Sequence, residues 1–184
     1  MNNYDLLDTD LIEFKNKSIN LFILFLLLIL IGGFVGTSTN SLNVILSQEY
    51  YQRVMGWELS YIWRRAVLQG LLEGLVYGFL FGAVYTFVIG LRVGFNISWT
   101  FVRKQVVSIA KIIYMFWLIG GIVAIFLAFV FPHSYDQFII SVPQETLSRI
   151  RYAWVGGSIW GGIIGGLIAT IRGIFTMKIH APNN

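Results

Sequence analysis

The sequence predicts an all-α integral membrane protein with four transmembrane helices. Of its 184 residues, 57% are hydrophobic and only 12% are charged. The mean hydropathy is +0.72, and most charged residues lie between four long apolar runs. A soluble domain of this length cannot bury so much apolar surface, so the surrounding solvent must be lipid. We expect residues 1–184 to form a single membrane domain.

The first apolar run extends from Ile19 to Thr37, and about 20 helical residues are enough to cross about 30 Å of hydrocarbon. The acidic residues before it predict a retained N-terminal tail. Ser38 to Trp63 is rich in Tyr and Trp, which favour the membrane interface. We expect a helix lying on the membrane surface here, with an aromatic ligand cage as the alternative. Its apolar residues are Leu42, Ile45, Leu46 and Met55.

The second run, Ala66 to about Leu91, contains the single charge Glu73. A basic stretch follows, in which apolar residues recur at helical spacing opposite Arg103, Lys104 and Ser108. This pattern predicts a second surface-lying amphipathic helix, on anionic lipid. Its apolar positions are Ile97, Phe101, Val102, Val106 and Ile109.

The third run, Ile112 to Phe131, ends at a proline, and the fourth extends from Tyr152 to Ile171. With four spans, the N-tail, middle loop and C-tail carry eight Lys or Arg, whereas the other two loops carry five. Arg172 and Lys178 are among the eight. Because basic residues concentrate on the cytoplasmic side, we expect both termini in the cytoplasm.

Glycines recur every fourth residue in the second and fourth runs. Residues four apart share a helix face, so each strip exposes bare backbone that a neighbouring helix can approach. The two strips are Gly70, Gly74, Gly78 and Gly82, and Gly157, Gly161 and Gly165. The fourth run has a second small face beside its strip, at Gly162 and Gly166, so we expect this helix to pack against two neighbours, one of them the second helix. The other neighbour would belong to another chain, with the tail of a lipid, quinone or pigment in the groove as the alternative.

The two halves of the chain resemble each other. Leu30 to Val35 matches Leu118 to Val123 at an offset of 88 residues, and the glycine strips match at an offset of 87. These offsets predict a parallel duplication of a two-helix unit, with one repeat at about 15–92 and the other at about 103–178. Chance similarity between apolar helices is the alternative.

Glu73 is the principal candidate for a functional residue because a carboxyl group inside a span is energetically costly. Gln69 lies one turn earlier on the same face, so both are expected to point towards another helix. They would form either a proton, cation or substrate pathway, or a polar contact between helices.

Other basic residues are candidates for lipid headgroup or anion contacts. Arg64, Arg65 and Arg151 lie where loops meet spans, and snorkelling explains them, with an anion site at Arg64 and Arg151 as the alternative. Arg103 and Lys104 are expected to contact anionic headgroups.

Catalytic and cofactor signals are weak. The chain has no cysteine and two histidines, and it contains no Walker, dinucleotide or hydrolase motif. His133, Ser134 and Asp136 are close in sequence, but a triad is defined by geometry. We expect no enzymatic activity, no cofactor and no metal.

The expected function is therefore that of a non-enzymatic polytopic membrane protein acting through helix packing, as an oligomer or as a small subunit or scaffold of a membrane complex. The alternative is a channel or transporter with a pathway past Glu73 and Gln69. Expected partners are the lipid bilayer and either itself or other membrane subunits, but not nucleic acid. The expected location is a bacterial-type inner membrane or another energy-coupling membrane.

Overall fold

The computed structural model describes residues 3–94, 97–139 and 142–176, with the backbone alone for 3–18, 134, 137 and 138. Every regular element in these ranges is helical. In chain order they are α1 (Asn3–Leu46), α2 (Gln48–Met55), a 3₁₀ turn (Leu59–Tyr61), α3 (Ile62–Val93), α4 (Trp99–Val130), α5 (Pro132–Phe138) and α6 (Thr146–Thr176).

Four of these helices, α1, α3, α4 and α6, are long and apolar enough to cross a membrane. The prediction of an all-helical chain with four such helices is thus confirmed. The helices are longer than the predicted spans. At 32 residues, α3 measures about 48 Å, more than the hydrocarbon thickness of about 30 Å, so it tilts or extends beyond the hydrocarbon.

The four long helices form two antiparallel hairpins, α1 with α3 and α4 with α6. Where the two hairpins meet, α1 runs parallel to α4 and α3 runs parallel to α6. Ser38 Oγ lies 2.6 Å from Tyr114 Oη, joining α1 to α4, and Arg92 Nη1 donates to the Ile174 carbonyl at 3.1 Å, joining α3 to α6. We call the end of the bundle that contains α2 and α5 the loop end, and the end where α3 stops and α4 starts the terminal end.

Glycines let the backbones within each hairpin come into contact. A Cβ atom at Gly32 would clash with the Gly74 carbonyl oxygen, and one at Gly120 would lie 2.8 Å from the Gly161 Cα. In the fourth span Gly157, Gly161 and Gly165 face α4, whereas Gly166 on the adjacent face meets the Phe81 ring of α3, so the two small faces meet two helices of the same chain. The backbones of α4 and α6 approach each other closely because α4 also has a glycine, Gly120, at the contact.

The first surface helix predicted from the sequence is not a separate helix, because most of its apolar residues belong to α1. Leu42, Ile45 and Leu46 belong to α1, which continues past Thr37. This continuation is possible because its polar side chains find partners inside the bundle. Thr39 and Ser41 donate to carbonyls one turn earlier in α1 at 2.8 Å, and Asn40 donates to the Ala66 carbonyl at 3.2 Å.

The basic amphipathic segment is also different from the prediction. It forms the first turns of α4 rather than a separate helix. Ile97, Val102 and Ile109 are buried in the bundle core with residues of α1, α3 and α6, while Arg103 and Lys104 are exposed. The apolar stripe therefore packs against protein and not against the membrane surface.

Candidate functional site

A cleft lies between the two hairpins, and all four long helices contribute to its wall. It offers about 110 Å³ to water-sized molecules, which is room for several waters. Most of the wall is apolar, but polar groups line it at several levels. The lining includes Gly36, Thr39, Asn40, Glu73, Tyr77, Phe81, Trp117, Ser158, Gly162 and Thr170.

Glu73 and Gln69 are brought together at this cleft. Gln69 Nε2 donates to Glu73 Oε1 at 2.7 Å, and both residues belong to α3. The Glu73 side chain is exposed where it lines the cleft. The amide oxygen of Gln69 is buried and has no hydrogen-bond partner in the described part of the chain. Glu73 lies about 12 Å along α3 from Arg65, so it is well inside the helix and away from its first turn.

Helix α2 packs over the loop end of the bundle, with two tyrosines close to Glu73. Ser47 caps the helix by accepting from the Tyr50 backbone N–H at 3.3 Å. Tyr51 is fully buried and stacks on Trp57 with ring centroids 5.7 Å apart. Burial raises the pKa of the Tyr50 and Tyr51 hydroxyls, and the nearby Glu73 charge raises the pKa further. Both hydroxyls are therefore neutral and able to donate.

This packing corrects the interpretation of Tyr50 and Tyr51 as part of an interface belt, whereas Tyr61 and Trp63 are exposed. Tyr51 is 0% exposed and Tyr50 lies against Tyr152, with ring centroids 5.0 Å apart, so both contact protein. Met55 ends α2, which the left-handed Gly56 then terminates. The sequence signal that precedes these tyrosines is the capping serine at position 47.

Several buried polar groups near the cleft were not anticipated from the sequence. Ser158 Oγ donates to Asn43 Oδ1 at 3.1 Å, linking α6 to α1. Asn43 Nδ2 and Trp117 Nε1 are buried without a hydrogen-bond partner among the described residues. Buried donors of this kind are normally satisfied by water or a ligand. Asn43 lies in the segment predicted to lie on the membrane surface and Ser158 in the fourth apolar run, so no local pattern indicates that the two side chains meet.

Tyr85 closes the cleft towards the terminal end. Its ring is fully buried and packs against Gly173, and its hydroxyl donates to Gln105 Oε1 at 2.7 Å. A second cavity lies beyond this pair and shares Ile109 with the cleft. The Tyr85–Gln105 hydrogen bond therefore separates the cleft from the second cavity.

The other candidate residues lie at the two ends. Arg64 and Arg151 are exposed in the first turns of α3 and α6, and no hydrogen bond joins them within the described ranges. The Arg65 guanidinium lies 5.8 Å from the centre of the Tyr61 ring. Lys104 lines the second cavity, whereas Arg103 does not. Lys178 lies outside the described residues.

The loop that carries the sequence neighbours His133, Ser134 and Asp136 contains an ion pair. Arg149 Nη2 lies 3.5 Å from Asp136 Oδ2, so this carboxylate is bound by an arginine. Burial raises the pKa of the neighbouring Tyr135 to about 12. The side chain of Ser134 is outside the described part of the structure.

No protein-family model matches the chain, and no curated protein or solved structure shows significant similarity to it.

Proposed function

We propose that this protein is a non-enzymatic membrane channel or transporter whose pathway for protons, cations or a small polar solute passes Gln69 and Glu73. The observation that carries the proposal is the position of Glu73, an ionisable group exposed on a cleft with room for water. Ionisable residues at membrane depth characteristically mark ion and substrate pathways.

The hydrogen bonding of Glu73 favours this function over a role as a contact between helices. A carboxyl group that joins two helices must bond to a residue of the second helix. The Glu73 hydrogen bond instead stays within α3, to Gln69 one turn away. Trp117 lines the cleft, and its buried N–H lacks a protein partner in the described ranges, so this arrangement favours a hydrated cleft.

The extent of the cleft also supports a pathway. It extends along α3 from Gly70 to Tyr85, about 22 Å, which is most of the hydrocarbon thickness. The second cavity lies on the far side of Tyr85 and Gln105. In this proposal the Tyr85–Gln105 contact is the closed point, and passage requires it to open.

A packing function, as an oligomer or as a subunit of a membrane complex, is the second candidate. A Cβ atom at Gly162 would have no atom within 4 Å, and the surrounding cleft wall is mostly apolar. The open side of this groove is suited to side chains from a helix of another chain. The candidate is weaker than the sequence suggested, because the glycine strips contact helices of the same chain.

We further propose that the hairpins arose by duplication of a glycine-striped two-helix unit. Gly32 lies against Gly74 in the first hairpin, and Gly120 lies against Gly161 in the second. These are equivalent positions at the offsets of 88 and 87 residues. The same glycine contact in both hairpins supports a common origin for them.

Flux through Glu73 is the direct test of the pathway. Purified protein in liposomes should pass protons or monovalent cations, and Glu73→Gln should reduce the flux at least about tenfold while leaving the fold intact, because the amide cannot titrate. Glu58→Gln, in the loop before α3, is the matched control and should behave like the parent. Parental flux in Glu73→Gln, or no flux from the parent, would contradict the pathway.

Cysteine labelling separates the two candidate functions, since the chain has no native cysteine. Gly162→Cys should react with a water-soluble maleimide in membranes if the cleft is hydrated. Trp160→Cys, at a side chain that is 67% exposed on the outer surface of the bundle, should react with lipid-soluble reagents only. Protection of Gly162→Cys together with cross-linking to a second chain would favour the packing function.

A further inference from the structure

We infer that the second cavity, at the terminal end between α4 and α6, binds the phosphate group of an anionic lipid. Its polar lining consists of Lys104, Gln105 and Ser108 from α4 and Arg172 and Thr176 from α6. It offers about 270 Å³ to water-sized molecules. The Tyr85–Gln105 contact separates this cavity from the Glu73 cleft, and the inference rests on the lining of the cavity and not on flux past Glu73.

The charge of the cavity favours an anion. Lys104 and Arg172 approach it from different helices. Among the residues whose side chains are described, the carboxylates lie in the cleft or at the loop end, and none lines this cavity. Within those ranges neither cation forms an ion pair, so both charges are available to a phosphate group.

The neutral side chains of the cavity are suited to the same ligand. Gln105 Oε1 accepts the Tyr85 hydroxyl at 2.7 Å, which holds the amide in place and leaves its two N–H groups for other acceptors. Ser108 adds a hydroxyl one turn further along α4. Phosphate oxygens are acceptors, so these groups complement the two cations.

The depth and floor of the cavity favour a lipid over a free anion. Lys104 lies one to two turns from the start of α4, and Arg172 one turn from the end of α6, where headgroups are expected. Trp99, at this same level, is 49% exposed, as is typical of the interface. The floor of the cavity is apolar, formed by Ile109, Ile112 and Ala169, and can contact the glycerol and upper acyl carbons.

The test uses the full-length protein in nanodiscs that contain phosphatidylcholine with a small fraction of phosphatidylglycerol. Native mass spectrometry counts the retained anionic lipid. Lys104→Ala and Arg172→Ala should each weaken retention about fivefold, the effect of one basic residue near a headgroup. Lys104→Arg should retain the lipid, and the neighbouring Arg103→Ala, outside the cavity, should match the parent. Equal losses in Arg103→Ala and Lys104→Ala would overturn the site, since they indicate diffuse surface charge.

A second arm distinguishes lipid from free phosphate. In discs of phosphatidylcholine alone, inorganic phosphate at millimolar concentration is added and the thermal unfolding midpoint is followed. No stabilisation here, with Lys104-dependent phosphatidylglycerol retention above, supports the lipid. Stabilisation that disappears in both Lys104→Ala and Arg172→Ala, without lipid retention, would assign the cavity to free phosphate and overturn the lipid assignment. If neither ligand depends on these residues, no phosphate site exists.

Discussion

Individual polar atoms in the bundle differ in whether they have partners, and this difference predicts the effect of removing them. The Tyr51 hydroxyl is buried with no hydrogen-bond partner in the described ranges, whereas the Tyr85 hydroxyl donates to Gln105. Burying a hydroxyl that makes no hydrogen bond costs free energy, and a made hydrogen bond contributes about 1 kcal/mol.

Tyr51→Phe should therefore leave the free energy of unfolding unchanged or raise it, since it removes only the unsatisfied hydroxyl. Tyr85→Phe should lower it by about 1 kcal/mol, because Gln105 Oε1 loses its donor. The two changes delete the same atom from fully buried rings, so each is the control for the other. Unfolding in detergent, followed by circular dichroism, measures both. A larger loss in Tyr51→Phe would mean that its hydroxyl binds a partner such as water.

Among the helices, α6 contains neighbouring glycines in opposite environments. A Cβ atom at Gly161 would clash with the Phe116 carbonyl oxygen of α4. At Gly162 it would meet nothing within 4 Å, because this residue faces the cleft. Backbone atoms cannot move aside as a flexible side chain can, so the same methyl group has different consequences at adjacent positions.

Gly161→Ala should destabilise the protein by about 1–3 kcal/mol, the range for overpacking a close contact. Gly162→Ala should be neutral or slightly stabilising, since alanine also favours the helix. Resistance to thermal unfolding in detergent measures the difference. Equal effects of the two variants would show that α4 and α6 do not touch at Gly161.

For the whole molecule, the helix directions place the start of α1, the α3–α4 connection and the end of α6 at the same end of the bundle. This follows from two antiparallel hairpins that meet in parallel. The arrangement of the helices does not by itself indicate which end of the bundle faces the cytoplasm. The positive-inside rule predicts that this end faces the cytoplasm, because eight basic residues of the sequence belong to it and five to the other end.

Reporter fusions at Asn184 and near Asn96 should accordingly both report the cytoplasm, and a fusion near Gly56, at the loop end, should report the opposite side. The measurement is a pair of compartment-specific reporters at each position. Signals from different sides at Asn96 and Asn184 would contradict an even number of crossings between them. Opposite-side signals at both positions would reverse the orientation.

The sequence determined the helical class and the number of membrane-length helices, because hydropathy over about 20 residues is a local property of the chain. It did not determine where α1 ends. Ser38 to Leu46 predicts a separate surface segment when taken in isolation, but it continues α1 into the bundle, where Ser38, Asn40 and Asn43 find partners on α4, α3 and α6. Satisfaction of those groups depends on neighbours that a local pattern does not contain.

Helix pairing and the cleft were decided by tertiary structure alone. A glycine strip indicates that a backbone can be approached closely but not which helix approaches it, and α4 rather than α3 meets Gly161. The sequence likewise identified Glu73 and Gln69 as neighbours on one helix face. Whether that face meets another helix directly or lines a cleft depends on how the two hairpins dock, and docking is the sum of contacts between residues far apart in the chain.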